Sequence, residues 1–103
     1  CSSSTRGIFG GGGGAINIIE YITIDTPSNA ADFGDLTAKR NVLSACSNNT
    51  RGIFGGGFDN VSVIHNVLDY ITIANTGNAI DFGDLTVGRQ ILTACSNGHG
   101  GLA

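Results

Sequence analysis

The sequence predicts an all-β fold built from a repeated four-stranded unit, on three observations. The chain repeats itself: residues 1–12 read CSSSTRGIFGGG and residues 46–57 read CSNNTRGIFGGG, an offset of 45. Apolar and β-branched residues alternate along short runs, and no helical period lasts longer than a turn or two. Glycine fills 17 of 103 positions, which penalises helices heavily.

The repeat continues beyond its first match. Tyr21-Ile22-Thr23-Ile24 returns as Tyr70-Ile71-Thr72-Ile73, Asp32-Phe33-Gly34-Asp35-Leu36-Thr37 as Asp81-Phe82-Gly83-Asp84-Leu85-Thr86, and Arg40 as Arg89, now at an offset of 49. The second copy therefore carries four extra residues, all between Gly57 and Tyr70. A length change between a glycine run and a strand falls where a surface loop absorbs it. The units run 1–45 and 46–94, and 95–103 starts a third. Near-identity means that each copy meets the same environment, so each is one structural unit in a series.

The second copy shows the elements in order. Residues 51–55 form a first strand, ended by the glycine run. Residues 66–73 form the clearest strand, in which Val67, Asp69, Ile71 and Ile73 alternate with Leu68, Tyr70 and Thr72. Residues 74–78 are a turn by composition. A third strand covers 79–86, with Gly83 and Asp84 as a bulge or bend, and a fourth covers 90–95. Four strands in 45–49 residues match one blade of a β-propeller.

Composition narrows the function. Charged residues make up 13% of the chain, well under the roughly 25% usual for soluble domains, which argues against disorder. Five Lys and Arg residues and a net charge of −3 leave no basic patch for nucleic acid. No apolar run is long enough to span a bilayer, and no basic segment before an apolar stretch marks a signal peptide.

The second unit, read from Arg40, resembles a kelch repeat. A basic residue (Arg40) precedes a small apolar strand (Leu43-Ser44-Ala45-Cys46) and a second strand ending in a double glycine (Gly52-Ile53-Phe54-Gly55-Gly56). A variable loop follows, then an Asn-led strand with a tyrosine (Asn66, Tyr70) and a late aromatic (Phe82). Phe82, like Phe33 in the first unit, stands where the family normally has Trp, which sets the chain apart from ordinary kelch adaptors. The wording of the repeat also resembles arrays in bacteriophage virion proteins, including tail fibres. That resemblance implies an extracellular, virion setting and a structural or receptor-binding role.

Two blades cannot close a propeller, which needs roughly four to eight. The expected partners are identical repeats, from a longer chain or from neighbouring chains in a homo-oligomer; three chains of two blades would complete a ring.

Candidate sites are few. Arg6 and Arg51 precede glycine-ended strands, and their recurrence suggests a bond to a carboxylate or carbonyl of the next blade. Tyr21 and Tyr70 recur on the central strand, and Phe33 and Phe82 are expected to pack between blades. Asp32, Asp35, Asp81 and Asp84 suit backbone N–H bonds in turns, or pairing with Arg40 and Arg89. Calcium is the one ion their oxygens suit, though no full coordination shell is visible; no other metal or cofactor is expected. Cys1, Cys46 and Cys95 recur once per unit, as small buried hydrophobes rather than disulfide or metal ligands. Asp81-Phe82-Gly83 carries the letters of a kinase magnesium motif without the rest of a kinase, and the run from Gly10 to Gly14 lacks the ending of a phosphate loop.

The expected function is therefore a non-catalytic structural or binding module. Recognition, of a host-surface glycan for instance, would fall on the length-variable loop. There Phe58 and Asp59 offer an aromatic and a carboxylate beside Asn60 and His65. The alternative is a purely architectural repeat that polymerises into a fibre or decorates a capsid. No His–Asp–Ser or His–Cys set supports an enzyme.

Overall fold

A computed structural model describes residues 1–96. It is all-β: seven strands form two antiparallel sheets, with no helix among the described residues. The first sheet has the order β1 (Arg6–Gly10), β2 (Ile16–Thr23) and β3 (Ala31–Arg40). The second has β4 (Ser44–Ser47), β5 (Arg51–Gly55), β6 (Val67–Thr72) and β7 (Ile80–Asp84). Among the described residues the sheets do not close into a barrel or ring.

The copies share the pairing of their first two strands and the bulge that follows, while β3 continues to Arg40 and β7 stops at Asp84. Ile8 pairs with Tyr21 and Phe9 with Glu20, as Ile53 pairs with Tyr70 and Phe54 with Asp69. The next strand skips one residue in each sheet: Ile19 faces Gly34 and Glu20 faces Asp32, while Leu68 faces Gly83 and Asp69 faces Asp81. The skipped residues are Phe33 and Phe82, so the bulge lies one step before the position the sequence suggested, and it re-aims an aromatic ring.

The first strand of each sheet belongs to the preceding stretch of chain. β4 pairs with β5, so 44–47 opens the second sheet rather than closing the first. In the first sheet, Cys1 and Ser2 stand in this place: Cys1 and Ile8 exchange backbone hydrogen bonds, and Ser2 bridges Gly7. The expected fourth strand at 90–95 is not formed. By the repeat, its pairing partner starts at residue 100, outside the described residues, as do the remaining residues of the third copy, 97–103. A serine column nevertheless continues the series. Ser47 Oγ donates to the Ser2 carbonyl at 2.9 Å, and Ser96 Oγ donates to the Ser47 carbonyl.

The double glycine after each β5-type strand has a steric reason. Gly56 sits at φ 70° and Gly11 at φ 69°, and a Cβ would come within 2.6 Å of the Arg89 carbonyl or 2.7 Å of the Arg40 carbonyl. Only glycine allows that conformation and that approach together.

The core lies between the sheets. From the first come Ile8, Ile19, Phe33 and Leu36; from the second come Phe54, Ile71, Ile73 and Ala79. We call the covered side of the first sheet its front and the covered side of the second its back. The same residues one repeat away lie on uncovered sides. Phe33 is 3% exposed and Phe82 50%.

Candidate functional site

The most elaborated arrangement in the molecule is the junction between the two units. Asp69 falls on the inward register of β6, in line with Ile71 and facing the first sheet. Arg40 ends β3 and reaches across. Its Nη2 donates to Asp69 Oδ2 at 2.7 Å, and its Nη1 donates to the carbonyls of Gly56 at 3.0 Å and Val67 at 2.8 Å. Thr37, three residues earlier on β3, donates its N–H to Asp69 Oδ2 at 3.0 Å and its hydroxyl to Oδ1 at 2.6 Å. Both charged side chains are 0% exposed. Burial lowers the Arg40 guanidinium pKa from its ordinary value, and the charge and hydrogen bond of Asp69 oppose that shift. Two buried charges are tolerated because nearly every polar atom is matched; only Arg40 Nε lacks a partner.

This pairing corrects the sequence reading, which offered Asp32 or Asp35 to Arg40 and Asp81 or Asp84 to Arg89. All four aspartates lie exposed on β3 and β7, and none of their carboxylates accepts a hydrogen bond among the described residues. The backbone carries the contact instead. Asp35 N donates to Asn78 Oδ1, Ala79 N to the Asp35 carbonyl and Gly77 N to the Phe33 carbonyl. A Cβ on Gly34 would lie 2.1 Å from the Gly77 oxygen, so the approach requires glycine there.

Arg6, Tyr21 and Phe33 form one cluster on the front. The Arg6 guanidinium lies 4.5 Å over the Tyr21 ring, and Tyr21 meets Phe33 edge to face at 5.9 Å. Arg6 Nη1 also donates to the Ile73 carbonyl of the second sheet at 3.0 Å. Arg51, Tyr70 and Phe82 repeat the cluster at 4.5 Å and 6.0 Å on the uncovered side.

The length-variable loop, 58–65, is pinned by its own residues. Asp59 Oδ1 accepts the N–H groups of Val61, Ser62 and Val63 at 2.9, 3.1 and 3.0 Å. Those bonds, Val61 foremost, hold the Asp59 carboxyl below its ordinary pKa, with the His65 charge adding to the effect. Asn60 takes φ 67° and accepts from Asn41 Nδ2 at 2.9 Å. Phe58 is half-buried and bridges both Asn41 and Ile64. His65 Nε2 is buried without a partner among the described residues. The exposed tip is aliphatic: Val61 is 82% exposed, beside Val63 and Ile64.

The cysteines are free. Cys1 and Cys46 are half-buried, Cys1 packing against the core, while Cys95 is exposed, where the sequence suggests a small buried hydrophobe at all three positions. Among the described residues no group of three or more His, Cys, Asp and Glu side chains converges as a metal site does. No helix among the described residues is long and apolar enough to cross a membrane.

No protein-family model and no curated protein matches the chain.

Proposed function

We propose that the chain is a non-catalytic structural repeat module, whose units are kelch-like propeller blades that associate face to face in an extracellular, virion-type assembly. One observation carries this reading: the single junction present is a closely matched interface, and the residues that build it recur on the uncovered sides. Arg40 and Asp69 are buried at the junction, whereas Arg89 and Glu20, in the same places of the other units, are exposed. Such a unit is complete only when flanked by its like. The resemblance to kelch repeats and to virion arrays supports the blade and the setting.

Glycan contact through Phe58 and Asp59 is a secondary reading beside the repeat-module one. Asp59 Oδ1 is committed to the loop backbone and Phe58 is half-buried, so a glycan contact at this loop would use Asp59 Oδ2 and the exposed part of the Phe58 ring.

Electron microscopy with mass measurement tests the proposal. A finite ring holding a whole number of blades, roughly four to eight, is expected. A chain that stays monomeric up to millimolar concentration would contradict it.

A further inference from the structure

The junction is not symmetric. It joins the front of one unit to the back of the next, so each unit carries both halves of the contact on opposite sides. The described chain uses one front and one back, and leaves the back of the first unit and the front of the second uncovered. The exposed residues are those the repeat demands. Phe9, the counterpart of Phe54, is 59% exposed, and Ile24, the counterpart of Ile73, is 49% exposed. On the other open side, Phe82 and Arg89 are exposed.

The polar partners match as well as the apolar ones. The occupied junction needs an arginine fork and a threonine on the front, and a carboxylate with two carbonyls on the back. The open front offers Arg89 and Thr86. The open back offers Glu20, with the carbonyls of Gly11 and Ile18 in the places of Gly56 and Val67. Around them, Asn29 and Ala30 stand where Asn78 and Ala79 meet β3. Neither Glu20 nor Arg89 has a side-chain partner among the described residues.

We propose that Arg89 of one copy of this chain docks on Glu20 of a second copy, so that copies join front to back through a contact equivalent to Arg40–Asp69. This rests on the repeat-module reading and names its partner. Like charges repel the wrong pairings: front against front sets Arg89 against Arg89, and back against back sets Glu20 against Glu20. Only the unlike pair matches, and a contact between unlike surfaces continues from copy to copy until it closes.

Two variants test it, Arg89→Ala and Glu20→Ala. Both residues are exposed, so each variant keeps the fold of the chain, checked by circular dichroism. Sedimentation velocity of the unsubstituted chain is expected to show association. Either variant alone is expected to lose it by roughly a hundredfold or more, since one partner of a desolvated pair is gone. Mixing the two variants should restore one contact and no further growth, because Arg89 of the Glu20→Ala chain meets Glu20 of the Arg89→Ala chain. The expected product is a discrete one-to-one dimer. Glu20→Asp, which gives the open back the carboxylate found at the occupied one, should associate at least as tightly as the parent. Association that survives both alanine variants, or a mixture that yields only monomers, overturns the Arg89–Glu20 contact and leaves the repeat-module reading standing. An unsubstituted chain that never associates overturns both.

Discussion

Phe9 and Phe54 occupy the same place in two copies of one unit, yet Phe9 is 59% exposed and Phe54 only 2%. The neighbours in sequence and the acidic partner on the next strand are shared; Phe54 differs in having Ala45 of β4 beside it and the first sheet over it. The Phe54 ring lies against Gly10 of the first sheet, where a Cβ would come within 2.8 Å of it. Phe54→Ala is therefore expected to destabilise the chain by about 3–5 kcal/mol. Phe9→Ala should stay within about 0.5 kcal/mol in the monomer. Urea unfolding of the two variants checks the contrast, and equal losses would show that the sheets do not pack as described.

Asp69→Asn removes the counter-charge of Arg40 while keeping its volume. The guanidinium is then buried with two carbonyls and no anion, and a loss of about 3–5 kcal/mol is expected. Arg40→Lys should not be a mild change, because one ammonium cannot reproduce the fork that reaches Asp69, Gly56 and Val67 together. Glu20→Gln, at the matching exposed position, should leave monomer stability nearly unchanged. Denaturant midpoints for the three variants decide the matter.

Gly34→Ala is expected to part the two sheets. The added methyl meets backbone, not the end of a flexible side chain, so the strain cannot be relieved by a rotamer change. Overpacking of this kind costs about 1–3 kcal/mol or more. Amide exchange at Gly77 and Ala79, whose N–H groups bond to β3, should accelerate before the rest of the second sheet.

The loop 58–65 should respond to acid through Asp59. Its folded pKa is depressed, so the ionised carboxylate favours the pinned loop at pH values above the ordinary carboxylate pKa. That contribution is lost as pH falls through the lowered, folded value. NMR amide shifts of Val61, Ser62 and Val63 should titrate together with the Asp59 carboxyl, and Asp59→Ala should abolish the titration. Titration of the three amides in the alanine variant would reject the assignment.

Local pattern made much of this fold legible. The strand at 51–55 forms as β5, and the run 66–73 contains β6, because alternation and β-branched residues act within a single strand. The strand expected at 90–95 does not form among the described residues, because its partner by the repeat falls in the following unit, which no local signal reveals. The Arg40–Asp69 pair was also hidden: its members lie 29 residues apart in different units. Repetition obscured it further, since Asp69 returns as Glu20 while Asp32 and Asp35 return unchanged. A signal was nonetheless present. Asp69 shares the inward register with Val67, Ile71 and Ile73, and a carboxylate in an apolar register requires a buried cation.

The unlike chemistry of a unit's two faces gives any array of such units a polarity. An open array has two distinguishable tips, one presenting cations and the other anions, so each grows at its own rate and can be blocked without touching the other. Closure into a circle removes both tips at once, and a closed circle then has no surface left for addition.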